Sequence, residues 1–109
     1  MDYSAEIGLE LEKARQARLR GMEGRARVCA RRAAGLAIRA YLSHQNRDDQ
    51  GTSALVLLQR FEKMDKIPDN AKILCRHLLL RVDEDYHLPP NVDLIADAQN
   101  LVNFLSTED

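Results

Sequence analysis

The sequence has no tryptophan, two cysteines, three prolines, five glycines and no apolar run longer than "AAGLAI". Each shortage excludes something. A membrane-crossing helix needs roughly 20 apolar residues, so no membrane association is expected. Cys29 and Cys75 stand in apolar surroundings and make neither a CxxC nor a zinc spacing. They read as buried, reduced thiols, which suits a cytoplasmic protein. The opening "MDYSAEIGLE" lacks the apolar segment of a signal peptide. Low-complexity tracts are missing, so disorder is expected only at the termini.

The chemistry-bearing residues are equally sparse. His44, His77 and His87 fall in different elements without HxxxH or HExxH spacing, so no metal site is expected. "RGMEGR" is not a GxxxxGK phosphate loop and follows no strand, and GxSxG does not occur. No cofactor is therefore expected. The aromatics Tyr3, Tyr41, Phe61, Tyr86 and Phe104 are not interleaved with arginines as a base-stacking platform.

What is present is helix-forming sequence and unevenly placed charge. The 109 residues are 45% hydrophobic and 30% charged, enough for one domain spanning 1–109 with a single core. The net charge is -1, but residues 13–39 hold nine basic groups and one acid, Glu23, while residues 83–109 hold seven acids and no Lys or Arg. Such a chain can bind a polyanion on one face, pair its own ends, or dimerise.

Apolar periodicity predicts an all-α, antiparallel up-and-down bundle of about five helices. The first runs from Ser4, its expected cap, to about Arg20, with Gly21 and Gly24 marking the break. The second covers about Met22 to His44. The third begins after a Thr52 or Ser53 cap and carries Leu55, Leu58 and Phe61. The fourth runs over 70–82 from an Asp69 or Asn70 cap and reads as apolar nearly all round. The last begins at Asn91 or Asp93, with Leu94, Ala98, Leu101 and Leu105 as its stripe. Between the last two, Asp83, Glu84 and Asp85 read as a solvated acidic loop.

The second helix carries a wide face of small residues, Ala30, Ala33, Ala34, Ala37 and Ala40, suited to close helix packing. At ~100° per residue, Arg25, Arg32 and Arg39 fall on one line, and Arg27 and Arg31 form a second pair. The three-residue line reads either as a nucleotide- or RNA-binding stripe or as partners for acids of this chain or a dimer mate. A helix-turn-helix DNA-binding reading is disfavoured by the net charge and by the long "NRDDQG" connection.

Three stretches resemble the HEPN domain family: "ELEKARQARLRGMEGRARVCARRAAGLAIRAYL", "SALVLLQRF" and "PPNVDLIADAQNLVNFL". They are similar to that family's first two helices, third helix and final helix, although Thr52 stands where members often have histidine. The resemblance implies a small all-α protein, a homodimer, and a partner that is a minimal nucleotidyltransferase or a toxin–antitoxin component. Catalytic members are metal-independent ribonucleases that carry an arginine and a histidine separated by four to six residues, near the start of the last helix. The arginine there would stabilise phosphate charge and the histidine would transfer a proton. Two pairs fit that spacing here, Arg39 with His44 and Arg81 with His87. On one helix the first pair points ~140° apart and cannot converge. Arg81 and His87 match the family's location, but three acids lie between them and Val82 replaces the usual polar residue. The first expectation is thus a non-catalytic HEPN-like interaction or nucleotide/RNA-associated module. The alternative is a ribonuclease using Arg81 and His87.

Overall fold

The computed structural model describes residues 3–44, 53–80 and 92–107. Five helices follow in order: α1 (Ser4–Leu19), α2 (Glu23–His44), α3 (Ala54–Glu62), α4 (Asp69–Leu79) and α5 (Leu94–Thr107). Among the described residues there is no strand. The expected all-α helical bundle is what forms. No helix among the described residues is long and apolar enough to cross a membrane.

The helix ends show how the sequence sets the boundaries. α1 stops in a Schellman turn, with Met22 N–H on Ala17 O at 2.8 Å and Gly21 N–H on Arg18 O at 3.0 Å. That turn needs a left-handed residue, and Gly21 supplies it at φ 75°. Gly24 is no part of the break; it sits in the first turn of α2. Ser53 caps α3, its hydroxyl accepting from Val56 N–H at 3.3 Å. Asp93 caps α5, its Oδ1 accepting from Ile95 and Ala96 N–H at 3.1 and 3.2 Å.

Two expected caps are corrected. Tyr3, not Ser4, holds the α1 cap position. Pro68 precedes α4 with an extended ψ of 155°, which moves Asp69 and Asn70 into the first turn, where Asp69 meets the positive end of the helix dipole. α4 also ends at Leu79, three residues before the expected limit of 82.

The core is one cluster in which α2 packs on α1, α3 and α5, and α4 packs on α3 and α5. Ala26, Ala30, Ala33, Ala34 and Ala37 are buried, as close packing of α2 requires; Ala40 is half-buried. At Gly35 the approach is tightest: an added Cβ would lie 2.6 Å from Ala54 Cβ, so α2 meets the start of α3 through bare backbone. Larger side chains, Leu57, Leu58, Phe61, Leu78, Leu94 and Leu101, fill the other side of the core. Tyr41 stands edge-on to Phe61, their centroids 5.9 Å apart.

α4 is not apolar nearly all round. Its buried residues are Ala71, Cys75 and Leu78, while Asp69, Asn70, Ile73 and Arg76 face solvent and His77 is half-buried. The sequence density of leucine and isoleucine concealed an ordinary amphipathic helix.

Candidate functional site

The α1–α2–α3 corner holds a cleft of about 290 Å³ lined by Glu6, Glu10, Arg32, Gly35, Leu36, Arg39, Ala54 and Leu57. Gly35 explains why it exists there. With no side chain at the crossing, Ala54 seats on the backbone of α2, and the longer side chains of Arg32 and Arg39 rise on either side along the helix. Seven residues of α-helix advance about 10 Å, which sets the spacing of the two arginine Cα atoms.

Two members of the predicted stripe therefore share one concavity, and Arg25 does not line it. Arg25 is exposed, a further two turns towards the N-terminus of α2. The acids opposite come from α1 and were not singled out by sequence reasoning. Their signal was the i, i+4 spacing of Glu6 and Glu10 on one side of α1. Glu10 Oε1 pairs with Lys13 Nζ at 3.5 Å. Its other oxygen, Oε2, is buried without a hydrogen-bond partner among the described residues. A buried carboxylate oxygen can accept a further donor, and the Cys29 thiol beside Glu10 is only a weak one.

Cys29 is buried close by, and its thiol pKa is raised by that burial, with the Glu10 charge adding to it and Arg25 opposing it. Cys75, in the core, is pushed up to about 12 by burial and by Glu62. Both cysteines are free and both stay thiols at neutral pH, so neither is an activated nucleophile.

The other candidates fall elsewhere. Arg81 and His87 lie outside the described residues, as does the acidic run Asp83, Glu84 and Asp85. Arg39 lies on α2, whose last described residue is His44. His77, expected at the core edge, places Nδ1 3.0 Å from Asp97 Oδ2 and so ties α4 to α5. Among the described residues no group of His, Cys, Asp or Glu could hold a metal ion.

Arg27 and Arg31 have a different setting from the stripe. Arg31 donates Nε to Leu78 O at 2.7 Å and Nη2 to Leu80 O at 3.0 Å, closing the C-terminal end of α4 from outside its own helix. No family model, curated protein or solved structure matches the chain.

Proposed function

We propose that this chain is a small HEPN-like interaction module, active as a homodimer, that takes a nucleotide or a short single-stranded RNA at the α1–α2–α3 cleft. The observation that carries the reading is the pairing of opposite functions in one concavity: Arg32 and Arg39 beside the Glu10 carboxylate, whose buried Oε2 has no nitrogen or oxygen donor among the described residues. Arginine forks suit phosphate oxygens. A carboxylate oxygen suits the ring or exocyclic N–H of a base. A nucleotide offers both groups at that scale, whereas a bare phosphate would meet repulsion from Glu6 and Glu10.

Dimer formation is supported by exposed apolar side chains, Leu55 and Ile73, on the neighbouring helices α3 and α4. Sedimentation at micromolar concentration should give twice the 12.4 kDa chain mass. A 12.4 kDa species alone removes the dimer from the proposal.

The binding test is a salt titration with short single-stranded RNA and with mononucleotides. Replacing Arg25, Arg32 and Arg39 by Gln should abolish binding in a chain that still folds cooperatively. In single replacements, removing an arginine that neutralises one phosphate should reduce the slope of log affinity against log salt by about 0.7. Binding that survives the triple variant refutes the site. RNA cleavage that is lost on Arg81→Gln or His87→Gln would replace this reading by the ribonuclease.

A further inference from the structure

α1 lies at the edge of the bundle, packed on α2 and α5, and its outer side is open to solvent. Leu9 and Leu19 on that side are 56% and 80% exposed. Glu12 and Gln16, between them, are exposed as well. At ~100° per residue the four side chains fall on one line, within a band of about 80°. Its intervals are three, four and three residues. The line therefore reads alike from either end, in spacing and in kind: leucine, polar, polar, leucine.

Such a line fits a copy of itself turned end for end. Antiparallel docking sets Leu9 on the partner's Leu19 and Glu12 on the partner's Gln16, and the two-fold axis repeats both contacts. The polar centre is already organised. Gln16 Nε2 donates to Glu12 Oε1 at 3.0 Å, and Arg15 Nη1 lies 3.6 Å from Glu12 Oε2, which offsets the carboxylates that meet near the axis. Charge follows the same direction. Glu6, Glu10 and Glu12 stand in the first part of α1, and Lys13, Arg15, Arg18 and the cap residue Arg20 follow. A parallel pair would set like charges together, whereas an antiparallel pair sets acids on bases. Glu6 and Arg20, both exposed, flank the line on the same side, so the partner's Arg20 comes to Glu6.

We propose that the outer face of α1 docks antiparallel on the same face of a second copy of this chain. The inference rests on the homodimer reading above and assigns its interface. Leu55 and Ile73, on α3 and α4, offer apolar surface without this order. Glu6 lines the α1–α2–α3 cleft, so docking places the partner's Arg20 at the mouth of each cleft, where it offsets that carboxylate against an incoming phosphate. The 16 residues of α1 extend about 24 Å, which makes this a small, dissociable interface.

Sedimentation of the full chain from about 1 to about 100 μM should show a monomer passing into a dimer. Leu19→Glu should weaken association about 100-fold, because each dimer loses the leucine contact twice and sets a carboxylate against each Leu9. Its circular dichroism should match the parent's, since the exposed side chain supports no core. Glu6→Arg and Arg20→Glu should each weaken the dimer about 10-fold, and the chain carrying both should regain the parent's affinity, since the charges trade places across the axis. Leu19→Glu that dimerises as the parent does overturns the proposal. So does a combined charge variant weaker than either single one. Loss of the dimer on Leu55→Glu, with Leu19→Glu unaffected, overturns this interface and leaves the homodimer standing on another face. A parent that stays at 12.4 kDa throughout overturns both.

Discussion

The two arginine lines on α2 differ only in where the helix turns them. Arg32 and Arg39 line an open cleft, while Arg27 is buried and Arg31 grips the carbonyls that end α4. The residue type is the same and the helix is the same. The difference is the setting of each guanidinium: Arg32 is exposed and Arg39 half-buried at the cleft, while Arg31, also half-buried, is held by two carbonyls. An exposed guanidinium, such as that of Arg32, is hydrated and contributes little to stability, so it is available for a ligand. A buried one has exchanged water for protein acceptors, and its removal leaves those acceptors unmet.

The sharpest way to break that comparison is Arg31→Met against Arg32→Met. The first removes the donors to Leu78 O and Leu80 O while keeping most of the apolar stem. It should cost about 2–3 kcal/mol, a loss of roughly 10–20 °C in melting temperature. The second should stay within about 0.5 kcal/mol of the parent. Equal effects on denaturant midpoints would mean that the two lines do the same structural work.

Between the lines lies the small-residue face, and it decides how near α1 and α3 come. Gly35→Ala puts a Cβ 2.6 Å from Ala54 Cβ and 2.8 Å from Ala54 Cα, and both neighbours are fixed by helix backbone. Alanine gains about 1 kcal/mol over glycine in helix propensity, and the clash should exceed that for a net loss of about 1–2 kcal/mol. Ala37→Leu, at a buried position nearby on α2, should cost about 1–3 kcal/mol by overpacking. For either variant, a chain as stable as the parent would show that α2 is looser than its packing indicates. Gly35→Ala should also weaken any ligand in the cleft, since α3 must shift.

Much of this arrangement was legible in residue spacing. The alanine face, the stripe angles and the Ser53 and Asp93 caps follow from local rules, because helical period and cap chemistry act over one or two turns. The cleft was not legible, because it needs Glu10 of α1 and Ala54 of α3 beside Arg32 of α2, and no local rule sets that meeting. The role of Arg31 was hidden for the same reason: its acceptors lie 47 and 49 residues away. Counting apolar residues on α4 overstated its burial, because Ile73 sits among apolar residues in sequence yet points away from the buried side in space, and His77 is only half-buried. Arg81 and His87 fall outside the described residues, and their spacing alone does not bring them to one site.

The contrast of exposed and buried charge recurs, at smaller scale, on α5. Asp93 and Asp97 lie one turn apart and move in opposite directions from the same ordinary pKa of 3.8. Burial pushes Asp93 up, but hydrogen bonds from Arg18 and from Ala96 N–H outweigh it, and its pKa falls. Burial pushes Asp97 up, and His77 recovers only part of that. The signs follow from proton linkage. Asp93 contributes stability that is present above its unfolded pKa and lost as pH falls through its lower folded value. Asp97 holds its proton more tightly when folded, so stability falls as pH rises from 3.8 through its raised value, and a penalty persists above it. Asp93→Asn keeps the cap acceptor and loses the ion pair, which solvent screens, so it should cost about 0.5 kcal/mol at neutral pH and flatten the acid limb of a melting curve. Asp97→Asn keeps a hydrogen-bond partner for His77 and removes the buried charge. It should match or exceed the parent at about pH 8 and converge with it in acid, where the parent carboxyl is protonated too. Melting temperatures of both variants from acid to alkaline pH decide the matter. A loss at about pH 8 for Asp97→Asn as large as that of Asp93→Asn would mean that burial does not govern the difference between them.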